Sequence, residues 1–221
     1  MFIGHFAPAL VAATRPRAAG LGTLFVAAQL VDIGFAALLI SGAEAMRVVP
    51  GITAMNPMDL YRMPYTHSLL GAALWGLIFG AIVWAATRRR AAAIGAGVVV
   101  LSHWLLDLLV HIPDLTLFGA PPKLGFGLWN HPAIEMPIEI GLAGAALLYY
   151  ARRTRGERGT VRLWALAGLL VLFQAIDWFG PKQAAYSIAI PATMLFAYAV
   201  LALSAWWAGR GRNPRTPEVA A

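Results

Sequence analysis

The chain contains no cysteine. That excludes disulfides, thiolate zinc sites, iron–sulfur clusters and Cys nucleophiles. Charge is scarce as well. Asp, Glu, Lys and Arg make up 12% of the 221 residues, against roughly 25% in an average soluble domain. There is no Gly-rich phosphate loop, no GxSxG and no HExxH, and no internal repeat is visible. In their place the chain is 60% hydrophobic, with a mean hydropathy of +0.69. An ordinary soluble or disordered chain is ruled out, and an all-α, polytopic membrane helical bundle is predicted.

A membrane-spanning helix needs about 20 mostly apolar residues. Leu21–Ile40, His67–Thr87, Ala91–Ile112, Val161–Gly180 and Ala184–Ala208 meet that length. Pro132–Ala151 makes a sixth run, apolar apart from Glu135 and Glu139. Phe2–Ala13 is too short to span. Its basic residues, Arg15 and Arg17, follow the apolar stretch, opposite to the order in a signal peptide. The expectation is six transmembrane helices plus a short N-terminal membrane-embedded helix. Residues 1–208 then form a single integral membrane domain, and 209–221 a disordered cytoplasmic tail.

The net charge of +7 comes from 17 Lys+Arg against 10 Asp+Glu. Arg15 and Arg17, Arg88–Arg90, the Arg152–Arg162 cluster and Arg210–Arg215 hold 13 of those 17 basic residues. Arg47, Arg62, Lys123 and Lys182 are left for the opposite side. Six spans alternate between the two groups without exception. The positive-inside rule then puts the arginine-rich side, with both termini, in the cytoplasm of a cell whose inner membrane holds the protein. The same split accounts for the basic charge, so no nucleic-acid partner is read from it. The partners expected are the lipid bilayer and an amphiphilic or lipid substrate. Most of the eight Trp are expected near span ends or on lipid faces, with no site role.

Ionisable groups inside a bilayer are costly and point to function. Asp32, Asp107, Glu135, Glu139 and Asp177 lie within the spans, with His103 and His111, and His67 stands at a span entrance. At about 1.5 Å per residue, Asp32, His103, Glu139 and Asp177 lie about 20–22 Å from the nearest cytoplasmic arginine, and Asp107 and Glu135 about 26 Å. Groups from several spans therefore meet at one depth, in the outer half of a roughly 30 Å core. His5 joins them if Phe2–Ala13 rises into the membrane.

Ser102-His103-Trp-Leu-Leu-Asp107-Leu-Leu-Val-His111 sets imidazole, carboxylate and imidazole on one helix face, since residues four apart are neighbours. Such a pair offers a divalent metal one nitrogen and one oxygen, and a buried His–Asp hydrogen bond would have the same spacing. Pro64-Tyr65-Thr66-His67-Ser68 places His67 at a helix start that Thr66 or Ser68 caps. His5, Asp32, His67, His103 and Asp107 together form a mixed imidazole and carboxylate set that suits zinc or a similar divalent ion. Glu135 and Glu139 share a face and fit a general base or a helix-packing contact, and His111 a ligand or proton shuttle. Pro121–Asn130, rich in glycine and aromatics, reads as a lid or substrate rim.

Gly4-His5, Asp32-Ile33, Thr66-His67-Ser68-Leu69-Leu70 and Leu101-Ser102-His103 with Asp107 resemble, in order and separation, the membrane-bound metal-dependent hydrolase family. That family is also described as LexA-binding, inner-membrane-associated hydrolases. The resemblance covers residues 1–118. It implies a metal-dependent hydrolase, with His5, Asp32, His67, His103 and Asp107 on the family's characteristic positions. The chain departs from the pattern at Gly34, where the family has a second acid. It departs again at Arg62-Met63-Pro64-Tyr65, where the family has His-Arg-Gly before Thr-His-Ser. A transporter using the same cluster as an ion path, and a non-catalytic scaffold, are the competing expectations.

Overall fold

The computed structural model describes residues 1–156 and 159–214. After a single 3-10 turn at Ile3–His5, the helices are α1 (Phe6–Ala12), α2 (Leu21–Ala28), α3 (Leu30–Ser41), α4 (Leu69–Thr87), α5 (Arg90–Val110), α6 (Pro132–Arg153), α7 (Gly159–Phe179) and α8 (Ala189–Gly209). The fold is a polytopic membrane helical bundle. Helices α4 to α8 are each long and apolar enough to cross a membrane. The run expected as a first straight span is instead the pair α2 and α3, bent by 54° at Gln29.

The outer faces confirm an apolar surrounding. Leu77 is 71% exposed and Ile94 67%, positions that would be unfavourable in water as parts of one continuous apolar belt. Inside the bundle, small residues rather than bulky ones make the closest helix contacts. A Cβ added to Gly76 would meet the Gly97 carbonyl at 2.8 Å, and one on Gly80 the Ala93 carbonyl at 3.0 Å. With no hydrophobic drive between helices in lipid, such backbone proximity supplies the packing energy. The α4–α5 hairpin is accordingly the tightest pair in the bundle.

The short helix α1 is enclosed by α2, α5 and α6, with Phe6, Ala9 and Leu10 buried. Phe6 stacks on Phe25 at 4.3 Å between centroids. The loops opposite the arginine clusters carry two antiparallel ribbons. One pairs β1 (Ala45–Val48) with β2 (Met58–Arg62), and the other pairs β3 (Leu115–Thr116) with β4 (Lys123–Leu124). At the arginine-rich end, β5 (Thr154–Arg155) pairs with β6 (Asn213–Pro214). The start of the expected tail therefore folds back on the bundle. Arg212 caps that contact by donating to the Thr154 and Ala151 carbonyls. The rest of the tail, 215–221, lies outside the described residues.

Candidate metal centre

Asp107 lies in the last turn of α5, and His103 sits one turn earlier on the same face. The i, i+4 spacing brings His103 Nε2 to 3.0 Å from Asp107 Oδ2. Three other segments converge there. His67, just before α4, puts Nε2 3.8 Å from the same oxygen. Asp32, in the first turn of α3, has Oδ1 3.4 Å from His67 Nε2 and 3.5 Å from His103 Nε2. The second oxygen of Asp107 faces another pair, with His5 Nε2 at 3.0 Å and His111 Nε2 at 3.5 Å. All four histidines and Asp107 are buried, and Asp32 is half-buried.

Helix α5 stops at Val110, two residues earlier than expected, and His111 caps it in extended backbone. Its amide still bonds the Asp107 carbonyl at 2.9 Å, and its ring folds back toward Asp107. Ser68 caps α4 by accepting from the Gly71 amide at 3.0 Å. Thr66, the other capping candidate, is used elsewhere. It donates its hydroxyl to Glu44 Oε2 at 2.6 Å, and its oxygen lies 2.9 Å from His67 Nδ1.

These partners fix the imidazole tautomers. With the Thr66 proton committed to Glu44, His67 Nδ1 must donate to Thr66. His103 Nδ1 donates to the Ala28 carbonyl at 2.7 Å. That carbonyl ends α2 at the bend, where helical N–H partners run out. His111 Nδ1 donates to Asp114 Oδ1 at 2.8 Å. Three imidazoles thus hold Nδ1 as the donor and turn Nε2 inward at two carboxylates, the arrangement by which proteins orient metal-binding histidines.

The donor set fits a divalent ion. Ligand atoms each about 2.0–2.2 Å from a tetrahedral ion lie roughly 3.4 Å apart. The separations Asp32–His67, Asp32–His103 and Asp107–His111 are 3.4, 3.5 and 3.5 Å. Buried His103 Nε2 has no hydrogen-bond partner, and imidazole nitrogen with carboxylate oxygen is a donor set suited to zinc. Three overlapping triads can each hold an ion: His5, His103 and Asp107; Asp32, His67 and His103; His67, Asp107 and His111.

Glu135 and Glu139 are both buried on α6, where their environments separate them. Glu139 Oε1 accepts the amides of Phe2 and Gly4, the latter at 3.0 Å, and so seats the segment that carries His5. Among the described residues, neither oxygen of Glu135 has a hydrogen-bond partner. Both acids line a cavity of about 540 Å3 that also reaches Asp32, His67, Asp107 and His111. Asp177 lines the same cavity but is exposed.

Several site residues escaped the sequence reading. Glu44 and Asp114 lie in loops with no metal-like spacing, yet each supports a histidine. Tyr198 of α8 donates to Asp32 Oδ2 at 2.7 Å. Trp104, in mid-span, and Trp129, in the rim loop, are buried at the site rather than turned to lipid. Trp104 donates its indole N–H to the His67 carbonyl at 3.2 Å, and Trp129 packs on His111 at 4.2 Å between centroids. The amphipathic rings are drawn inward because each finds polar and aromatic partners there. Where the resembled family has an acid, Gly34 has little room for one. A Cβ there would lie 3.2 Å from the Trp75 ring and 3.3 Å from the Thr66 methyl. The Pro121–Asn130 loop is tied down as a rim, with the Gly127 amide bonded to the His111 carbonyl at 2.7 Å.

No family model matches the chain. It has a partial similarity to NADH-quinone oxidoreductase subunit N of Anaplasma marginale (strain Florida), 33% identical over 121 residues. The match covers 52% of this chain and 24% of that protein, so the chain spans about a quarter of its length. No solved structure gives a significant match. The chain is a multi-pass membrane protein with a buried His/Asp cluster that can hold a metal ion.

Proposed function

We propose that the protein is a metal-dependent hydrolase of the inner membrane, with zinc the first candidate ion, acting on a lipid-like or lipid-linked ester or phosphoester. The observation that carries this reading is the inward Nε2 atoms of His67, His103 and His111, each fixed by a donor bond from Nδ1. The resemblance to the membrane-bound hydrolase family supports it through the same residues. So does the cavity, which brings His67 and His111 together with Glu135, whose oxygens have no partner among the described residues.

In this reading Asp32, His67, His103 and Asp107 hold the ion, and the other oxygen of Asp107 is held by His5, His111 and the Met1 ammonium, the last at 3.3 Å. A bound divalent ion supplies a Lewis acid for the ester oxygen and an acidified water. Glu135, with two open acceptors, takes the proton from the attacking water and passes it to the leaving group. Glu139 holds the N-terminal segment in place. The distribution of arginines supports a cytoplasmic location for both termini and access to the site from the opposite side.

The transport alternative needs a polar route to the arginine-rich face. Among the described residues, α5 from Arg90 to Leu101 and α7 from Gly159 to Phe173 carry no buried ionisable side chain, which favours a closed site over a path. Elemental analysis of purified wild type and His103→Ala, paired with ester and phosphoester assays in zinc, manganese and magnesium, tests the proposal. Metal in the wild type, its loss in the variant and metal-dependent turnover are expected. Full metal content in His103→Ala, or no turnover with any of the three ions, overturns it.

A further inference from the structure

The cavity beside the candidate metal centre has a largely apolar lining. Its wall away from Asp107 is built by Phe173 and Ile176 of α7 and by Met194, Phe196 and Ala197 of α8. Ile176 is 57% exposed and Phe196 65% exposed, although both line the cavity. Both belong to membrane-crossing helices. On a membrane-crossing helix such exposure opens the chamber toward hydrocarbon at Phe196, while the exposed Asp177 and Lys182 line the same chamber near the end of α7. At the other end, Glu135 is 1% exposed with both oxygens unpartnered. An unsatisfied buried carboxylate is costly, so an occupant of the chamber that donates to Glu135 would be favoured there.

We infer that the chamber is a lateral binding site for a membrane amphiphile with a single apolar chain. The chain lies along α7 and α8 and the polar end, carrying a hydroxyl or an ester, stops at Glu135 and the Asp107 group. The ligand enters sideways from the leaflet at the end opposite the arginine clusters. A volume of about 540 Å3 falls in the range of small-ligand pockets, roughly 300–1,000 Å3, and suits one chain better than a two-chain lipid. A mostly apolar lining with a few placed polar groups is the pattern of such pockets; here the buried groups converge around Asp107 and Glu135, and Asp177 and Lys182 stand near the end of α7. The inference rests on the proposed hydrolytic centre for its meaning as a substrate site, but binding can be measured without turnover.

The test uses the purified full chain in lipid nanodiscs and a monoacylglycerol with a diazirine near the end of its acyl chain. A diazirine-bearing phosphatidylcholine serves as the bulk-lipid control. On irradiation, the monoacylglycerol should label α7 and α8 around Phe173–Ile176 and Met194–Ala197, and excess unlabelled monoacylglycerol should suppress that labelling. Ala197→Trp, which fills the chamber, should reduce it at least tenfold while metal content stays unchanged. Thr193→Trp, at an exposed position of the same wall, should do likewise and serves if the buried substitution fails to fold. Labelling spread evenly over all spans, as for phosphatidylcholine, or labelling untouched by both tryptophans, overturns the lateral site. Localised, competed labelling in a protein that hydrolyses no ester keeps the site and removes hydrolysis. Diffuse labelling with turnover of water-soluble esters does the reverse.

Discussion

Tyr198 donates its hydroxyl to Asp32 Oδ2 at 2.7 Å, across 166 residues of chain. The other oxygen of Asp32 faces His67 and His103. One carboxylate is therefore divided between a positioning bond from α8 and the candidate metal position. Replacing Tyr198 by Phe keeps the ring packing and removes the donor. A hydrogen bond to a charged group is worth about 1.5–3 kcal/mol, and loss of such support typically weakens metal binding by about 10–100-fold. Competition titration with a chelator should show a weakening of that order, with helix content unchanged by circular dichroism. Unaltered affinity would show that Tyr198 does not position Asp32 for a metal.

Thr66 relays Glu44 to His67. Thr66→Val retains the shape but can neither donate to Glu44 nor accept from His67 Nδ1. Metal affinity should fall by about 10–100-fold, while Thr66→Ser, which keeps the hydroxyl, should stay near wild type. Equal affinities for Val and Ser would rule out the relay.

Glu135 and Glu139 should behave differently despite their shared helix face. Glu135→Gln should leave metal content intact and lower turnover by about 10²-fold or more, as loss of a general base does. Glu139→Ala removes the acceptor for the Phe2 and Gly4 amides. Faster amide hydrogen exchange over residues 2–12 should result. Identical kinetic and exchange behaviour in the two variants would contradict the division of roles.

Topology can be read independently of chemistry. Reporter fusions in the Arg88–Arg90 turn and after Arg155 should report the cytoplasm, and a fusion at Gly119 the opposite side. The reverse pattern would place the metal centre near the cytoplasmic face and remove the depth argument for an outer-leaflet substrate.

The helical bundle, and the convergence of the candidate ligands on one region, were legible in the amino-acid pattern. Hydrocarbon admits only segments whose backbone is satisfied internally, so long apolar runs had to become helices. The His103–Asp107 pair was legible because four residues make about one helical turn, a relation that holds wherever the helix lies. The common depth of Asp32, His103, Asp107, Glu135 and Glu139 followed from the rise per residue alone. The remaining features depend on how the segments pack together. Nothing local announces the bend at Gln29, yet it exposes the Ala28 carbonyl that orients His103. Glu44, Asp114 and Tyr198 act across loops and between helices, where sequence spacing has no fixed geometric meaning. Glu135 and Glu139 are indistinguishable by periodicity. They differ because the N-terminal segment folds onto one and leaves the other facing the cavity. Which oxygen of Asp107 meets which histidine depends on how four separate segments pack, and that packing is a property of the whole bundle rather than of any helix in it.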